Sequence, residues 1–376
     1  MARIGFEAQR IFRAKKHGMD FVALELLKAL SRLDKDNEYF VYVNEGDDPC
    51  FQAGENFHVI VHKAPYPIWE QMWLPKKAKA DHLDILHCTS NTAPMHISVP
   101  LIVTLHDVIY LEKNPLFAPG YTAYQRFGNL YRRFVVKSAI PMANRVLTVS
   151  NYEVQNVLKF LPQIKDRLFV LYNGVGAHFR KITDPSELEH VRKKYHLPEK
   201  FIMFLGNTDP KKNTENTLKA YAILAKKTAF HYKLLLGDLD QQFVKNILDR
   251  NGLPEIFEHI HFTGYIRNTD LPAIITQAEA FLYPSLRESF GIPIIESMAC
   301  GTPVITSNVT SMPEVAGDSA LLVNPEKPEE IADAVLRILN DPSLRRQCIN
   351  KGIERAKAFN WENSAVQLLQ HYKDFI

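Results

Sequence analysis

The sequence predicts an α/β protein made of two domains, each a parallel sheet flanked by helices. The chain has 376 residues, more than a single hydrophobic core usually serves, so two domains of ordinary size are expected. Apolar runs of strand length alternate with amphipathic stretches of helix length in both halves of the chain. This alternation is typical of parallel sheets connected by crossover helices.

The first half of the chain contains apolar runs of strand length at intervals. They are Ile4–Phe6, Tyr39–Val43, Ile85–His87, Leu101–Leu105, Arg145–Ser150 and Leu168–Tyr172. One helix is expected from about Met19 to Leu33, and another begins after the fifth run with Ser150 or Asn151 as its cap. Several of these runs are continuously apolar, as in strands that are buried on both faces of a sheet.

A second series of strands and helices begins after a boundary near residue 180. The predicted strands are Phe201–Leu205, Lys233–Leu236, His261–Thr263, Ala280–Tyr283, Val304–Ser307 and Ala320–Val323. The predicted helices are Glu215–Lys226, Gln241–Arg250, Asp270–Gln277, Pro328–Leu339, Pro342–Phe359 and a last one from Glu362. This pattern predicts a second Rossmann-like sheet.

The composition favours a globular, intracellular protein. Hydrophobic residues make up 46% and charged residues 23% of the chain, which are ordinary globular values. No apolar run reaches the roughly 18 residues needed to span a bilayer, and the first residues lead into a strand rather than a signal peptide. The four cysteines are far apart and lack zinc-site spacing, so reduced thiols are expected rather than disulfides or a bound metal.

Positive charge is concentrated in the first half of the chain, although the net charge is only +3. Its local clusters are Arg10, Arg13, Lys15 and Lys16, and then Lys76, Lys77 and Lys79. These clusters can attract anionic lipid headgroups or a pyrophosphate-bearing acceptor, or they can form a solvated basic face. Nucleic acid is not an expected partner, because the charge is near neutral and no base-stacking motif accompanies it.

Two carboxylates, Glu288 and Glu296, lie on either side of a predicted loop-to-helix junction after the strand that ends at Tyr283. Pro293 suits the first turn of that helix and Gly301 the position after its end, so the helix has roughly two turns. Both carboxylates can face the crevice where α/β sheets bind ligands. A pair of solvated surface acids is the alternative interpretation.

The ligand chemistry at this junction combines hydroxyls with an anion. Ionised carboxylates only accept hydrogen bonds, which suits a polyhydroxylated ligand. The backbone N–H groups of Phe290, Gly291 and Ile292 lie at the helix start, where unpaired donors and the helix dipole favour a negative charge. A sugar carrying a phosphate satisfies both requirements.

The residues from Glu288 to Ser307, E-S-F-G-I-P-I-I-E-S-M-A-C-G-T-P-V-I-T-S, resemble the E-x7-E segment of the family 4 retaining glycosyltransferases. That family has the GT-B fold, in which two Rossmann-like domains face each other across a donor cleft. The resemblance implies that Glu288 contacts the donor sugar hydroxyls and that Glu296 holds the nucleotide ribose. It also implies that the amides of residues 290–292 approach the sugar and diphosphate. Ser289 stands where the family most often has Gly.

Three further positions resemble the family, and a fourth departs from it. Lys212 resembles the lysine that neutralises the leaving diphosphate, while Asn207 stands where many members have an Arg. His106, at the end of a strand and before Asp107, resembles a histidine near the donor sugar and phosphate. Asp107 is expected either to orient that imidazole or to cap a turn.

Two weaker matches complete the predicted site. Gly18 resembles a glycine of the loop after the first strand, although a lone glycine equally marks a turn. Tyr265 falls in a segment whose backbone contacts the nucleotide base, with a packing role as its alternative.

The resemblance implies a first, acceptor-side domain of residues 1–180 plus 358–376, and a nucleotide-sugar-binding domain of residues 181–357. The expected activity is retaining, metal-independent transfer of a mannose- or glucose-type hexose from a GDP- or UDP-linked donor to a glycan or lipid-linked acceptor. His106, Glu288 and Lys212 are the expected catalytic residues, with no cofactor. A sugar-nucleotide 2-epimerase and a non-catalytic binding protein are the alternatives. The expected location is the cytoplasm, with peripheral contact at the inner membrane face.

Overall fold

The structure, a computed structural model, describes residues 1–52, 54–112 and 123–376. The chain divides into two compact units, Met1–Gly174 together with Trp361–Ile376, and Val175–Asn360. The sequence-based boundaries near 180 and 358 differ from these by a few residues. Val175 N donates to Phe359 O at 2.9 Å, which holds the two ends of the second unit together.

The first unit is built on a seven-stranded parallel sheet with the order β3-β2-β1-β4-β5-β6-β7. Its strands are β1 (Arg3–Glu7), β2 (Glu38–Val43), β3 (Phe57–Val61), β4 (Ile85–Cys88), β5 (Leu101–Leu105), β6 (Arg145–Thr148) and β7 (Leu168–Val170). Its helices include α1 (Gly18–Leu33), α2 (Tyr66–Ile68), α3 (Leu74–Ala80), α4 (Ile109–Glu112), α5 (Ala123–Ala139) and α6 (Asn151–Phe160). A π-helical turn, Trp69–Trp73, joins α2 to α3.

The second unit is built on a six-stranded parallel sheet with the order β10-β9-β8-β11-β12-β13. Its strands are β8 (Phe201–Phe204), β9 (Lys233–Leu236), β10 (Ile260–Phe262), β11 (Ala280–Tyr283), β12 (Val304–Ser307) and β13 (Leu321–Val323). Its helices are α7 (Pro185–Tyr195), α8 (Thr214–Lys227), α9 (Gln241–Arg250), α10 (Leu271–Gln277), α11 (Ile292–Ala299), α12 (Met312–Ala316), α13 (Pro328–Asn340) and α14 (Pro342–Lys357).

The last helix, α15 (Trp361–Lys373), belongs to the first unit. The Tyr372 hydroxyl hydrogen-bonds His87 Nδ1 at 2.8 Å, and Ser364 Oγ donates to Tyr172 O at 2.7 Å. His87 lies on β4 and is fully buried, so burial lowers its pKa to about 3 and the imidazole stays neutral. These contacts explain why the chain end packs on the first sheet.

Local sequence signals account for the helix ends around the predicted site. Ser150 Oγ accepts a hydrogen bond from Glu153 N at 3.2 Å, which makes Ser150 the cap of α6. The helix α11 has eight residues, with Pro293 in its first turn. Gly301, two residues after its end, has a φ of 72°, a conformation that favours glycine.

The sequence did not predict β3, the helical stretch of residues 66–80, or the helices α4, α5, α7 and α12. The strand β3 lies at the edge of the first sheet, and only Phe57 of its five residues is buried, although its sequence F-H-V-I-V is apolar enough to have indicated a strand. In α7 only Val191 and Tyr195 are buried, so the helix has no broad apolar stripe. No helix within the described part of the chain is long and apolar enough to cross a bilayer. All four cysteines are free thiols.

Candidate functional site

Three neighbouring strands of the second sheet, β8, β11 and β12, end at the same edge. The loop after β8 carries Lys212, the loop after β11 carries Glu288, and the loop after β12 carries Thr310 and Ser311. Because parallel strands have their carboxyl ends at one edge, these loops can meet although they are distant in sequence.

Lys212 and Glu288 form a hydrogen-bonded ion pair at this edge. Lys212 Nζ donates to Glu288 Oε1 at 2.7 Å and to the hydroxyl of Tyr283, the last residue of β11, also at 2.7 Å. The side chains of Lys212 and Glu288 are only 17% and 11% exposed. Burial, and then the charge of Glu288, raise the pKa of Tyr283 well above its usual value. Tyr283 is a member of this cluster that the sequence analysis did not select.

The loop that carries Lys212 is fixed by Asn213 and Gly206. Asn213 has a φ of 61°, and its Nδ2 donates to Pro284 O at 2.9 Å and to Pro325 O at 2.7 Å. A Cβ on Gly206 would lie 2.3 Å from the Phe204 ring, so only glycine fits there. Sequence reasoning missed Asn213, although asparagine tolerates this left-handed conformation better than most residues.

The loop that carries Glu288 is held by the loop after β12. Ser311 Oγ donates to Glu288 O at 2.9 Å and to Phe290 O at 3.1 Å. Glu288 N donates to Thr310 Oγ1 at 3.3 Å. No sequence signal marks these partners, because a serine or threonine hydroxyl in a loop is too common to single out.

The start of α11 offers backbone donors. Gly291 has a φ of 99°, and within the described residues no acceptor is bonded to the N–H of Gly291 or Ile292. Phe290 is 3% exposed, and its ring packs on the Phe359 ring at 5.6 Å between centroids. The Phe290 side chain is therefore not available to a ligand.

Glu296 lies inside α11, as predicted from the position of Pro293. No donor in the described part of the chain hydrogen-bonds its carboxyl group. Burial raises the pKa of Glu296 to about 8, because the surrounding protein disfavours the charged form. Glu296 is thus an acid whose hydrogen-bonding capacity is unused by its neighbours.

Asn207 and Tyr265 are exposed. Asn207 Oδ1 accepts from Asp209 N at 2.8 Å, which closes a turn before Lys212. The side-chain amide nitrogen of Asn207 takes no part in this turn. Tyr265 is 73% exposed, so its side chain is not the packing residue of the alternative interpretation. It follows Gly264, which has a φ of 65° and whose carbonyl accepts from Asp238 N at 2.9 Å.

His106 and Gly18 belong to the first unit. His106 follows β5, is 6% exposed, and hydrogen-bonds Thr89 O through Nε2 at 2.8 Å. Burial lowers its pKa, so the imidazole is neutral, with the proton assigned to Nε2 and Nδ1 left as an acceptor. Asp107 Oδ1 accepts from Ile109 N at 3.2 Å and so caps a turn. Thr89, which the sequence analysis did not select, orients the imidazole.

Gly18 is the first residue of α1 and is exposed. A Cβ at this position would meet no atom within 4 Å, and its φ is not positive. Neither packing nor backbone conformation therefore requires glycine at this position.

The described residues contain no group of three or more His, Cys, Asp or Glu side chains arranged to hold a metal ion. Taken together, the second unit joins a cation, a carboxylate and unpaired helix N–H groups near the carboxyl edge of one sheet. Such a set can bind an anion and hydroxyl groups of the same ligand.

Two family models match the chain. Residues 17–178 match Glycosyltransferase Family 4, and residues 187–355 match Glycosyl transferases group 1. The O-antigen chain mannosyltransferase B of Escherichia coli is 30% identical over 303 residues, which cover 79% of this chain and 76% of that protein.

Two solved structures have the same fold. Sucrose-phosphate synthase from Thermosynechococcus elongatus superposes with a TM-score of 0.75 at 20% identity, covering 100% of this chain and 99% of the other. Anabaena Alr3699/HepE, solved in complex with UDP and glucose, gives a TM-score of 0.73 at 18% identity, covering 99% of this chain and 100% of the other. At these identities the likeness concerns the fold alone.

The family models together account for most of both units, and the Escherichia coli relative is similar across most of its length. The chain is therefore a member of the group 1 glycosyltransferases of family 4 type, with the GT-B fold.

Proposed function

We propose that this chain transfers a hexose from a nucleoside diphosphate sugar to an acceptor hydroxyl, with retention of the anomeric configuration. The observation that carries the proposal is the Lys212–Glu288 pair, 2.7 Å apart, at the carboxyl edge of the second sheet. One partner suits the diphosphate and the other suits the sugar hydroxyls of a single donor.

Lys212 has the role of offsetting negative charge on the departing nucleoside diphosphate. That charge grows as the glycosidic bond breaks, so the interaction strengthens in the transition state and accelerates the step. The N–H groups of Gly291 and Ile292 at the start of α11 add fixed donors for the same oxygens. Glu288 binds donor sugar hydroxyls and Glu296 binds the ribose. Asn207 and Tyr265 border the nucleotide, and Gly18 lets the diphosphate approach the backbone.

No protein nucleophile is assigned, because the paired acids bind the donor. In the proposed step, the acceptor oxygen attacks the anomeric carbon from the same face as the departing phosphate, and a phosphate oxygen takes the acceptor proton. The neutral His106 accepts a hydrogen bond at Nδ1 from a donor or acceptor hydroxyl. The reaction is proposed to be independent of divalent metal and to use no cofactor.

The donor is of mannose or glucose type and is linked to GDP or UDP. Similarity to the Escherichia coli mannosyltransferase supports mannose. UDP-glucose is the second candidate to test, since the Anabaena protein of the same fold was solved with UDP and glucose. The acceptor is a glycan or lipid-linked glycan of surface polysaccharide or glycolipid assembly, in line with the O-antigen relative. Cytoplasmic location and peripheral contact with the inner membrane face belong to the same proposal.

The direct test is product analysis by NMR. The protein is incubated with GDP-mannose or UDP-glucose and an alkyl hexoside, with and without EDTA, and the anomeric coupling of the new linkage is measured. An axial α product from the α-linked donor, formed equally in EDTA, is expected. An inverted product would refute retention, and a product that needs Mn²⁺ or Mg²⁺ would refute metal independence. A changed sugar nucleotide without acceptor would indicate an epimerase, and binding without turnover a non-catalytic protein.

A further inference from the structure

Arg10, on the loop after β1, has an unusual environment for a guanidinium group. It is only 7% exposed, and no acidic group of the described chain forms an ion pair with it. Its Cζ lies 5.5 Å from the centre of the Tyr66 ring, and the Tyr66 hydroxyl also interacts with it. A guanidinium has five N–H donors, so most of them are not used by the protein. A buried charge with unused donors is costly unless a ligand or water completes it.

A second group beside Arg10 also has unused capacity. Asp20, in the first turn of α1, is 2% exposed and interacts electrostatically with Arg10. Its Oδ2 accepts from His17 N at 2.9 Å, while its Oδ1 is buried and has no hydrogen-bond partner. Arg10 therefore supplies spare donors, and Asp20 supplies a spare acceptor, in one neighbourhood.

The other acid near Arg10, Glu7, is already occupied. Its Oε1 accepts from Gln9 N at 2.9 Å and its Oε2 from Thr89 N at 3.0 Å. Thr89 also receives the hydrogen bond of His106 at its carbonyl. A continuous chain of bonds, Glu7 to Thr89 to His106, thus runs along the carboxyl ends of β1, β4 and β5, which are neighbours in the sheet.

The loop backbone holds Arg10 in place. Ile11 N donates to Ala8 O at 3.1 Å, and Asn44 N donates to Gln9 O at 3.0 Å. The backbone that carries Arg10 is therefore held in place, and the side chain itself is 7% exposed and not a freely moving surface group.

The acidic groups around Arg10 argue for a neutral ligand. Glu7 and Asp20 both interact with the one guanidinium, and although burial raises the pKa of Glu7, a diphosphate would meet repulsion from Asp20 as well as attraction from Arg10. Adjacent hydroxyl groups of a sugar fit better, because one can accept from the Arg10 fork while the next donates to Asp20 Oδ1.

We propose that Arg10 and Asp20 form a subsite for the acceptor sugar of the transferase, binding two neighbouring hydroxyls of a neutral hexose residue. That the bound hexose is the acceptor rests on the proposed function. That a hexose binds here rests only on the residues of the first unit. It adds Arg10 and Asp20 to the residues that determine specificity, at the same sheet edge as His106.

The test is saturation-transfer NMR with methyl α-D-mannopyranoside and methyl α-D-glucopyranoside, on the wild type and on Arg10→Gln, Arg10→Lys, Asp20→Asn and Glu288→Gln. Arg3→Gln is the matched control. Arg3 also lies beside an aromatic ring, Phe40 at 4.6 Å, but its Nη1 is paired with Glu38 at 3.1 Å. Arg3 is the first residue of β1, so it lies at the amino end of that strand, whereas Arg10 follows its carboxyl end. Melting temperatures separate loss of binding from loss of folding.

At least one hexoside is expected to bind the wild type, Arg3→Gln and Glu288→Gln alike. Arg10→Gln and Arg10→Lys are expected to weaken the affinity for the hexoside by about tenfold or more. Asp20→Asn is expected to weaken this affinity as well. If Arg10→Gln does not fold, the Arg10→Lys and Asp20→Asn results decide. The inference is overturned if no hexoside binds the wild type, if these variants bind normally, if Glu288→Gln abolishes binding, or if pyrophosphate displaces the hexoside. GDP and UDP binding, measured in parallel, tests the proposed function separately.

Discussion

Lys212 Nζ and Glu288 Oε1 lie 2.7 Å apart, so the cation proposed for the diphosphate and the carboxylate proposed for the sugar are partners of each other. Each side chain is mostly buried, and Tyr283 completes the cluster by accepting a second hydrogen bond from Lys212. A donor that binds here must share or replace this ion pair. Binding of the diphosphate and binding of the sugar are therefore coupled through the contact between Lys212 and Glu288.

Replacing Glu288 with glutamine is expected to weaken the use of the donor. The amide keeps the shape but loses the charge that strengthens hydrogen bonds from sugar hydroxyls, a difference of about 0.5–2 kcal/mol. This corresponds to a fall in kcat/KM of roughly 2- to 30-fold. Glu329→Gln, an exposed acid in the first turn of α13, is the control and should retain full activity. Full activity in Glu288→Gln would exclude Glu288 from the donor site.

Lys212 and its neighbour Lys211 provide a matched pair. Lys212→Met should lower kcat by roughly 10²–10³-fold, the range measured when one charge-stabilising donor is removed. Lys211 is 40% exposed and lies 3.8 Å from Asp209, so Lys211→Met should change kcat little. Steady-state kinetics with a saturating donor measures both. Equal losses in the two variants would show that general positive charge matters, not the contact made by Lys212.

The stability of Lys212→Met gives a further check on the pair. The substitution leaves a mostly buried Glu288 carboxylate without its cation, so the free energy of unfolding should fall. The double variant Lys212→Met with Glu288→Gln removes that isolated charge and should recover part of the loss in stability, while its activity stays well below that of the wild type. Chemical denaturation of the two single variants and the double variant measures this coupling. Strictly additive losses would contradict the pairing.

The carboxyl group of Glu296 should make stability depend on pH. Burial raises its pKa to about 8, whereas an unfolded chain releases this proton near a pH of about 4.3. Between these values the folded state binds more protons than the unfolded state, so the free energy of unfolding falls as the pH rises through this window. Glu296→Gln lacks this contribution, so its stability relative to the wild type should increase up to a pH near 8 and then level off. Denaturant titrations across the range measure it, and a constant difference would contradict the raised pKa.

Gly18 allows a ligand contact to be separated from folding. A Cβ at Gly18 or at Gly128, in α5, would meet nothing within 4 Å, and neither glycine has a positive φ. Alanine at either position should leave the melting temperature unchanged or higher. Only Gly18→Ala should raise the KM for the donor, because its methyl group would enter the space proposed for the diphosphate. Normal kinetics in Gly18→Ala would remove Gly18 from the site.

The sequence was sufficient for the parts of the site that depend on local signals. Pro293, Gly301 and the apolar run before Pro284 predict a strand, a loop and a short helix, and this places Glu288 in the loop and Glu296 in the helix. The pairing of Lys212 with Glu288 joins residues 76 positions apart, and no local pattern encodes such a contact. Asn213, Ser311 and Tyr283 were missed for the same reason, because their roles arise only when the loops after β8, β11 and β12 meet.

The elements of the fold divide in a similar way. Continuous apolar runs predicted most of the strands, and the missed edge strand β3 has such a run as well. The largely polar helix α7 lacks the periodicity that would reveal it. The contact of Tyr372 with His87 shows why α15 returns to the first unit, but it too joins residues at opposite ends of the chain.

The most direct test of the central claim is a thermal-shift comparison of the wild type with Glu288→Gln. The ligands are GDP-mannose, UDP-glucose, UDP-N-acetylglucosamine, UDP-galactose and ADP-glucose, with GDP and UDP alone as references. A donor present at 100 times its Kd stabilises the folded state by about 2.7 kcal/mol. GDP-mannose or UDP-glucose should stabilise the wild type more than its nucleotide alone does, and Glu288→Gln should lose this sugar-dependent part. No stabilisation by any of the donors, or an equal sugar-dependent part in Glu288→Gln, would contradict the assignment of this edge as the donor site.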